Sequence, residues 1–178
     1  MCRTAGTTLV ELLTTLTIVA VLATVAVPSF HTFHLNNQRA TVVNGFLHAL
    51  FLARSEAIKR GQIVSVCRSS DGRNCESRTG DWRGGWIVFA NRDRDDPPER
   101  DSGEDLITSS GGWPDGSITS NRGAYSFQPT TQRVVNGTIV FCDARGSSHA
   151  RAIIISHTGR PRVAQRDSEG KPLRCPSG

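Results

Sequence analysis

The residues best placed to do chemistry lie near the C-terminus, where Ala150-Arg151-Ala152-Ile153-Ile154-Ile155-Ser156-His157 runs into Thr158-Gly159-Arg160-Pro161-Arg162-Val163. An apolar strand enters a Thr-Gly turn, and two arginines stand either side of a proline just beyond it. Gly159 can adopt the positive φ of a tight tip, and Pro161 stiffens the chain between the two guanidinium groups. In an extended backbone Arg160 and Arg162 project from one side about 7 Å apart, close to the interval of successive phosphates along a nucleic-acid strand. A guanidinium is planar, permanently charged and able to donate to two phosphate oxygens at once. Such contacts carry no base information, so the binding they support is independent of sequence and weakened by salt. From Asp143 to Gly178 seven basic residues, Arg151 and Arg166 among them, stand against three acidic ones. The C-terminal part therefore carries the excess charge of a chain whose formal net is +5.

A second chemically expensive residue is Glu11, near the start of an apolar run from Leu9 to Val27. That run can cross about 30 Å of hydrocarbon at about 1.5 Å per residue. A carboxylate inside it costs up to about 3 kcal/mol at mid-helix on insertion scales, and so calls for a partner. The hydroxyls of Thr14, Thr15, Thr17 and Thr24 can return to helix carbonyls. Before the run stands a short basic leader, Met1-Cys2-Arg3-Thr4-Ala5-Gly6. A secretory signal is cut behind its apolar region and discarded. Here the only plausible cut precedes that region, which would stay with the mature chain as a membrane anchor and leave a net charge of +4.

Enzyme chemistry finds little support. There is no G-x-S-x-G elbow, H-E-x-x-H helix or P-loop, and His31, His34, His48, His149 and His157 are scattered. Ser156 and His157 are sequence neighbours and on a strand point apart. No catalytic residue, cofactor or metal is expected. The acidic stretch 91–105 lacks the order of a calcium loop and alternates with arginines, which reads as a solvated, partly self-paired loop that repels DNA. Asn136-Gly137-Thr138 fits a hairpin turn better than a glycosylation site. Without Cys2 four cysteines remain, an even number that reads as two disulfides in an exported domain. Three connectivities are open. The expected one joins Cys67 with Cys75 across a short polar loop and Cys142 with Cys175, tying the tail to a strand.

The elements that must position these residues follow from periodicity. Behind Pro28 a helical pattern continues to Arg60, with Ala40, Val43, Phe46, Leu47, Leu50, Ala53 and Ala57 at spacings of three and four. Lys59 and Arg60 suit its last turn, and Gly61 is a natural stop. Strands are expected at 62–67, 85–90, 105–108, 124–127, 137–142, 151–156 and 162–165. In the strand Gly85-Trp86-Ile87-Val88-Phe89, Trp86 and Val88 share one face and Ile87 and Phe89 the other. A helix followed by a run of strands indicates an α+β domain, the helix laid on an antiparallel sheet. The loop 91–104 looks the least ordered part.

The leader, the cut before an apolar helix, and the spacing of Glu11 and Pro28 resemble the class III signal of type IV pilins and type II secretion pseudopilins. The resemblance implies a peptidase cut after Gly6 and methylation of Thr7, where the family usually has Phe or Met. Glu11 then falls at the fifth mature residue, where it meets the amino terminus of a neighbouring subunit. The G-W-x-V-F strand is similar to the GspH/FimT group of minor pilins, and Gly159-Arg160-Pro161-Arg162 matches the G-R-x-R motif with which FimT-type members bind DNA. The implied fold is that of type IV pilins. Its parts would be a cleaved leader (1–6), a transmembrane or filament-core helix (7–28), an amphipathic half-helix (29–60) and a β-rich periplasmic domain (61–178). The implied function is a minor pilin that grips extracellular double-stranded DNA by its phosphates for uptake in natural transformation, through Gly159, Arg160 and Arg162, with Arg151 and Arg166 in support. The implied partners are that DNA, other major and minor pilins, the prepilin peptidase and inner-membrane lipid. The protein would sit first as a single-pass protein of the inner membrane and then at the pilus tip. Two rivals remain: a minor pilin or pseudopilin that primes filament assembly without DNA, and an adhesin.

Overall fold

A computed structural model describes residues 6, 8–130 and 136–176. One helix, α1 (Leu9–Arg60), precedes eight strands, β1 (Ile63–Arg68), β2 (Trp86–Asn91), β3 (Leu106–Ser110), β4 (Ser117–Ser120), β5 (Ala124–Phe127), β6 (Gly137–Cys142), β7 (Arg151–Ile155) and β8 (Pro161–Ala164). The chain divides into two compact units, Met1–Gln38 and Arg39–Gly178.

In the first unit α1 runs without interruption through Pro28, although proline gives up the amide that would bond to the carbonyl of Thr24. The hydroxyls of Thr14, Thr15, Thr17 and Thr24 each donate to a carbonyl three or four residues back, at 2.7–3.0 Å. The apolar side chains from Leu9 to Phe33 are exposed, and α1 is long and apolar enough to cross a membrane. Thr7 lies outside the described residues.

In the second unit the remainder of α1 lies on two antiparallel sheets, ordered β3-β2-β1-β5 and β4-β6-β7-β8. Val43, Phe46, Ala49, Leu50, Ala53 and Ala57 form its buried stripe. Phe46 is fully buried and meets Trp86 of the first sheet and Phe141 of the second edge-on, at centroid distances of 5.0 and 5.9 Å. Such pairs add about 0.5–1.5 kcal/mol each beyond the area they bury. Along β2 the alternation is as the sequence indicates: Trp86 and Val88 join the core under α1, while Ile87 and Phe89 pack on the opposite face. Each sheet's outer face is covered by a stapled segment. The Cys67–Cys75 disulfide folds the β1–β2 loop over Ile87 and Phe89, and the Cys142–Cys175 disulfide brings Leu173 of the tail over Ala152 and Ile154.

Several expectations are corrected. Ala40 is exposed, and its neighbour Arg39 is buried in its place, because the stripe begins at a polar anchor. Arg39 Nη1 donates to Asp143 Oδ2 at 3.2 Å and to the His149 carbonyl, and Arg145 donates to the same carboxylate from Nη2 to Oδ2 at 2.6 Å and from Nε to Oδ1 at 3.1 Å. A further strand, β4, forms in a Ser- and Thr-rich stretch without an apolar alternation, its one buried residue being Ile118. The remaining strand limits shift by one or two residues, except β5 and β6, which match. The loop 91–104 is held rather than loose. Buried Glu104 accepts from the amides of Arg92 (2.6 Å) and Asp101 (3.2 Å), and buried Asn91 bonds to Asp95 and to the amide of Arg94. Charge alone does not reveal that these acids cap backbone donors.

Burial by itself would push the Asp143 carboxyl up, but hydrogen bonds from the Arg145 side chain and amide and the charges of Arg145 and Arg39 outweigh it and hold it below its ordinary value. The stabilisation from Asp143 is therefore complete above about pH 4 and is lost as pH falls through the lowered folded-state value. Asp143→Asn is expected to cost about 3 kcal/mol at neutral pH, since it removes the carboxylate that faces buried Arg39 and half-buried Arg145. It should also flatten the acid limb. Chemical denaturation of both proteins from about pH 7 down to about pH 2 measures the two effects.

Candidate nucleic-acid interface

The arginines singled out by the sequence are distributed by the hairpin β7–β8. The register pairs Ile154 with Arg162 and Ile155 with Pro161. Ile154 belongs to the outer face under the tail and Ile155 to the core under α1. Paired residues share a face, so Arg162 is on the outer side, and Arg160, two residues earlier, extends the same row. Both side chains are exposed, and among the described residues neither takes part in an ion pair. Arg162 lies on β8 and Arg160 immediately precedes it; β8 is an edge of its sheet, so one flank is open to a ligand.

The tip is built locally. The Gly159 amide donates to the Ser156 carbonyl at 2.8 Å, and the Ser156 amide donates to the Arg160 carbonyl at 3.2 Å, closing the hairpin. Ser156 Oγ meets Thr158 Oγ1 at 2.9 Å and accepts from the Arg160 amide at 3.3 Å. Gly159 has φ +72°, the left-handed residue that follows the turn and absorbs the extra residue of the loop. The Thr158 carbonyl accepts from Arg54 Nη1 of α1 at 2.9 Å, a contact that no local pattern in the sequence announces.

Of the supporting residues, Arg166 joins the pair and Arg151 does not. Arg162, Ala164, Gln165 and Arg166 line an open concavity of about 480 Å³ together with Asp167, Ser168 and Gly170. Arg166 Nη1 donates to the Gly170 carbonyl at 3.0 Å, and Asp167 caps the amides of Glu169 and Lys171 at 2.9 and 2.8 Å. Asp167 is thereby turned into its own hairpin. Arg151 stands at the far end of β7 from the tip, on the face of Ile153 and Ile155, where it is half-buried. Its charge adds to burial in lowering the basicity of Arg39. The structure thus brings together Arg160, Arg162 and Arg166 and leaves Arg151 beneath the sheet.

A Cβ at position 159 would force an L-residue into the left-handed region, at a cost of about 1–2 kcal/mol. Gly159→Val is expected to lower unfolding free energy by at least that amount, read by urea denaturation of the full chain in detergent.

Comparisons with known proteins place these features. A family model described as "Type II transport protein GspH" matches residues 42–159. Arg160 and Arg162 lie immediately beyond that match. The type IV minor pilin FimU of Pseudomonas aeruginosa is structurally similar in two crystal forms. One has a TM-score of 0.54 and 17% identity, covering 76% of this chain and 98% of that one. The other has a TM-score of 0.56 and 18% identity, covering 80% and 98%. The minor pseudopilin EpsH from the type 2 secretion system of Vibrio cholerae aligns with a TM-score of 0.49 and 14% identity, over 71% of this chain and 96% of that one. At these identities the likeness to FimU is one of fold. No curated protein matches the chain.

Proposed function

Since the chain belongs to the GspH family of type II transport proteins, with the α+β fold of type IV pilins, we propose that it is a minor pilin that binds double-stranded DNA through the outer face of its β7–β8 hairpin. The observation that carries the reading is the row of exposed guanidinium groups at Arg160 and Arg162 on an open sheet edge, without an ion pair among the described residues, with Arg166 sharing the adjoining concavity with Arg162. Arg160 and Arg162 sit at strand spacing, about 7 Å apart. Each can therefore take a separate phosphate of one backbone, and Arg166 is placed to reach a further one. No base edge is read in this arrangement, so affinity depends on counterion release and not on sequence.

Anchorage belongs to the same proposal. Cleavage after Gly6 by a prepilin peptidase, with methylation of Thr7, leaves the exposed apolar half of α1 as a single inner-membrane pass and then as filament core. Glu11 there takes the amino terminus of a neighbouring pilin as its partner. A purely structural pseudopilin role, priming assembly without DNA, is favoured by the family description and by the end of the family match at residue 159. Both readings share the anchor and the filament, and neither involves catalysis.

The full chain in detergent is expected to bind double-stranded DNA at low salt. Changing Arg160 and Arg162 together to Gln should weaken binding at least tenfold and reduce the salt slope by about two phosphate contacts. A charge-matched control, Arg73 and Arg78 to Gln in the β1–β2 loop, should stay within about twofold. Equal losses in both, or no binding by the parent, would favour the structural reading. Glu11→Val is expected to abolish incorporation into filaments under either reading, measured by sheared-filament immunoblotting, while leaving the membrane-bound level of the protein unchanged.

A further inference from the structure

The hairpin tip is exposed from Ser156 to Thr158, and its internal bonds all run between residues 156 and 160. Among the described residues one bond arrives from elsewhere, that of Arg54 Nη1 to the Thr158 carbonyl. Its position is specific. The Thr158 carbonyl and the Gly159 amide are the two ends of one planar peptide unit. The amide end donates to Ser156 and the carbonyl end accepts from Arg54, so the plane is pinned on both sides. Only ψ of Thr158 and φ of Gly159 are soft around that plane, and a glycine released from such pinning visits both signs of φ. A change of sign at Gly159 would swing Arg160 out of the row it forms with Arg162. Arg54 is well founded for the task, since its neighbours Ala53 and Ala57 are fully buried under the sheets. It reaches the tip from the α1 side, whereas Arg160 and Arg162 face outward.

We propose that Arg54 is a positioning residue of the interface: it pins the Thr158–Gly159 peptide plane from α1 and thereby sets Arg160 in register with Arg162, without itself contacting phosphate. This rests on the reading of Arg160 and Arg162 as the phosphate-gripping pair.

The test uses the full chain in detergent, with Arg54→Met, Arg54→Lys and the Arg160/Arg162 double change to Gln. Hydrogen exchange of the peptide spanning Ser156 to Arg160, measured without DNA, reads the pinning alone. It should quicken about tenfold in Arg54→Met, return toward the parent in Arg54→Lys, which keeps a charged donor, and leave exchange across β1 and β2 unchanged. Binding to double-stranded DNA should weaken about five- to tenfold in Arg54→Met with the salt slope unchanged, and recover in Arg54→Lys. Parental exchange in Arg54→Met overturns the pinning, whatever the DNA result. A salt slope reduced by about one contact makes Arg54 a direct phosphate ligand and overturns the positioning role. Quickened exchange with DNA binding unchanged, in a parent that depends on Arg160 and Arg162, overturns the coupling of turn to register. A parent that does not bind DNA, yet shows the exchange difference, removes the proposed function and with it the consequence for DNA.

Discussion

The second unit is organised by one constraint: a single helical stripe must satisfy two separate sheets. Each sheet offers α1 one apolar face, and the stripe is narrow, with Ala49, Ala53 and Ala57 allowing close approach and Phe46 filling the space between. Because Phe46 touches Trp86 on one sheet and Phe141 on the other, the two sheets hold their places through the helix. The polar ends of the arrangement follow from this. Arg39 and Arg54, about 22 Å apart along the helix axis, bond to the loop after β6 and to the β7–β8 tip respectively. The helix is thereby clamped to both ends of the hairpin that carries the basic row.

The two clamps differ in physical character. Arg39 meets a buried carboxylate, and the pair, with Arg145, is costly to break from either side because a charge would be left out of water. Arg54 meets only a carbonyl in a part-exposed place, a weaker and more exchangeable contact. Firm anchoring thus lies at the base of β7, and adjustable contact lies at the tip where a ligand would arrive. The tail adds a third tie through Cys142–Cys175, which fixes the segment bearing Arg166 over the outer face without involving the tip.

The fold class, the Gly61 stop of α1, the face alternation of β2 and the limits of β5 and β6 were legible because each is a local pattern of apolar spacing or turn chemistry. So was the presentation of Arg160 and Arg162 on one exposed side, two residues apart around a proline. What escaped is non-local. The Arg39–Asp143 and Arg54–Thr158 bonds each join residues 104 apart, and nothing within a window of ten residues marks either arginine as different from a solvated one. The placement of Arg151 escaped for a related reason: proximity in sequence to the tip says nothing of the side on which a strand presents it. Likewise β4 carries only one buried side chain and is a strand because Phe141 and its neighbours on β6 need a partner.

The position of β8 at the edge of its sheet has a consequence for solubility. An open edge presents unpaired backbone donors and acceptors that recruit other strands, and natural sheets blunt it with proline, charge and brevity. β8 has all three: four residues, Pro161 at its first position, and the guanidinium group of Arg162, with that of Arg160 immediately before it. The residues that make the edge attractive to a polyanion also make it repellent to a second copy of itself. Replacing them with neutral, extended-favouring residues would expose a sheet margin prone to self-association, so the same charges guard this protein against aggregation.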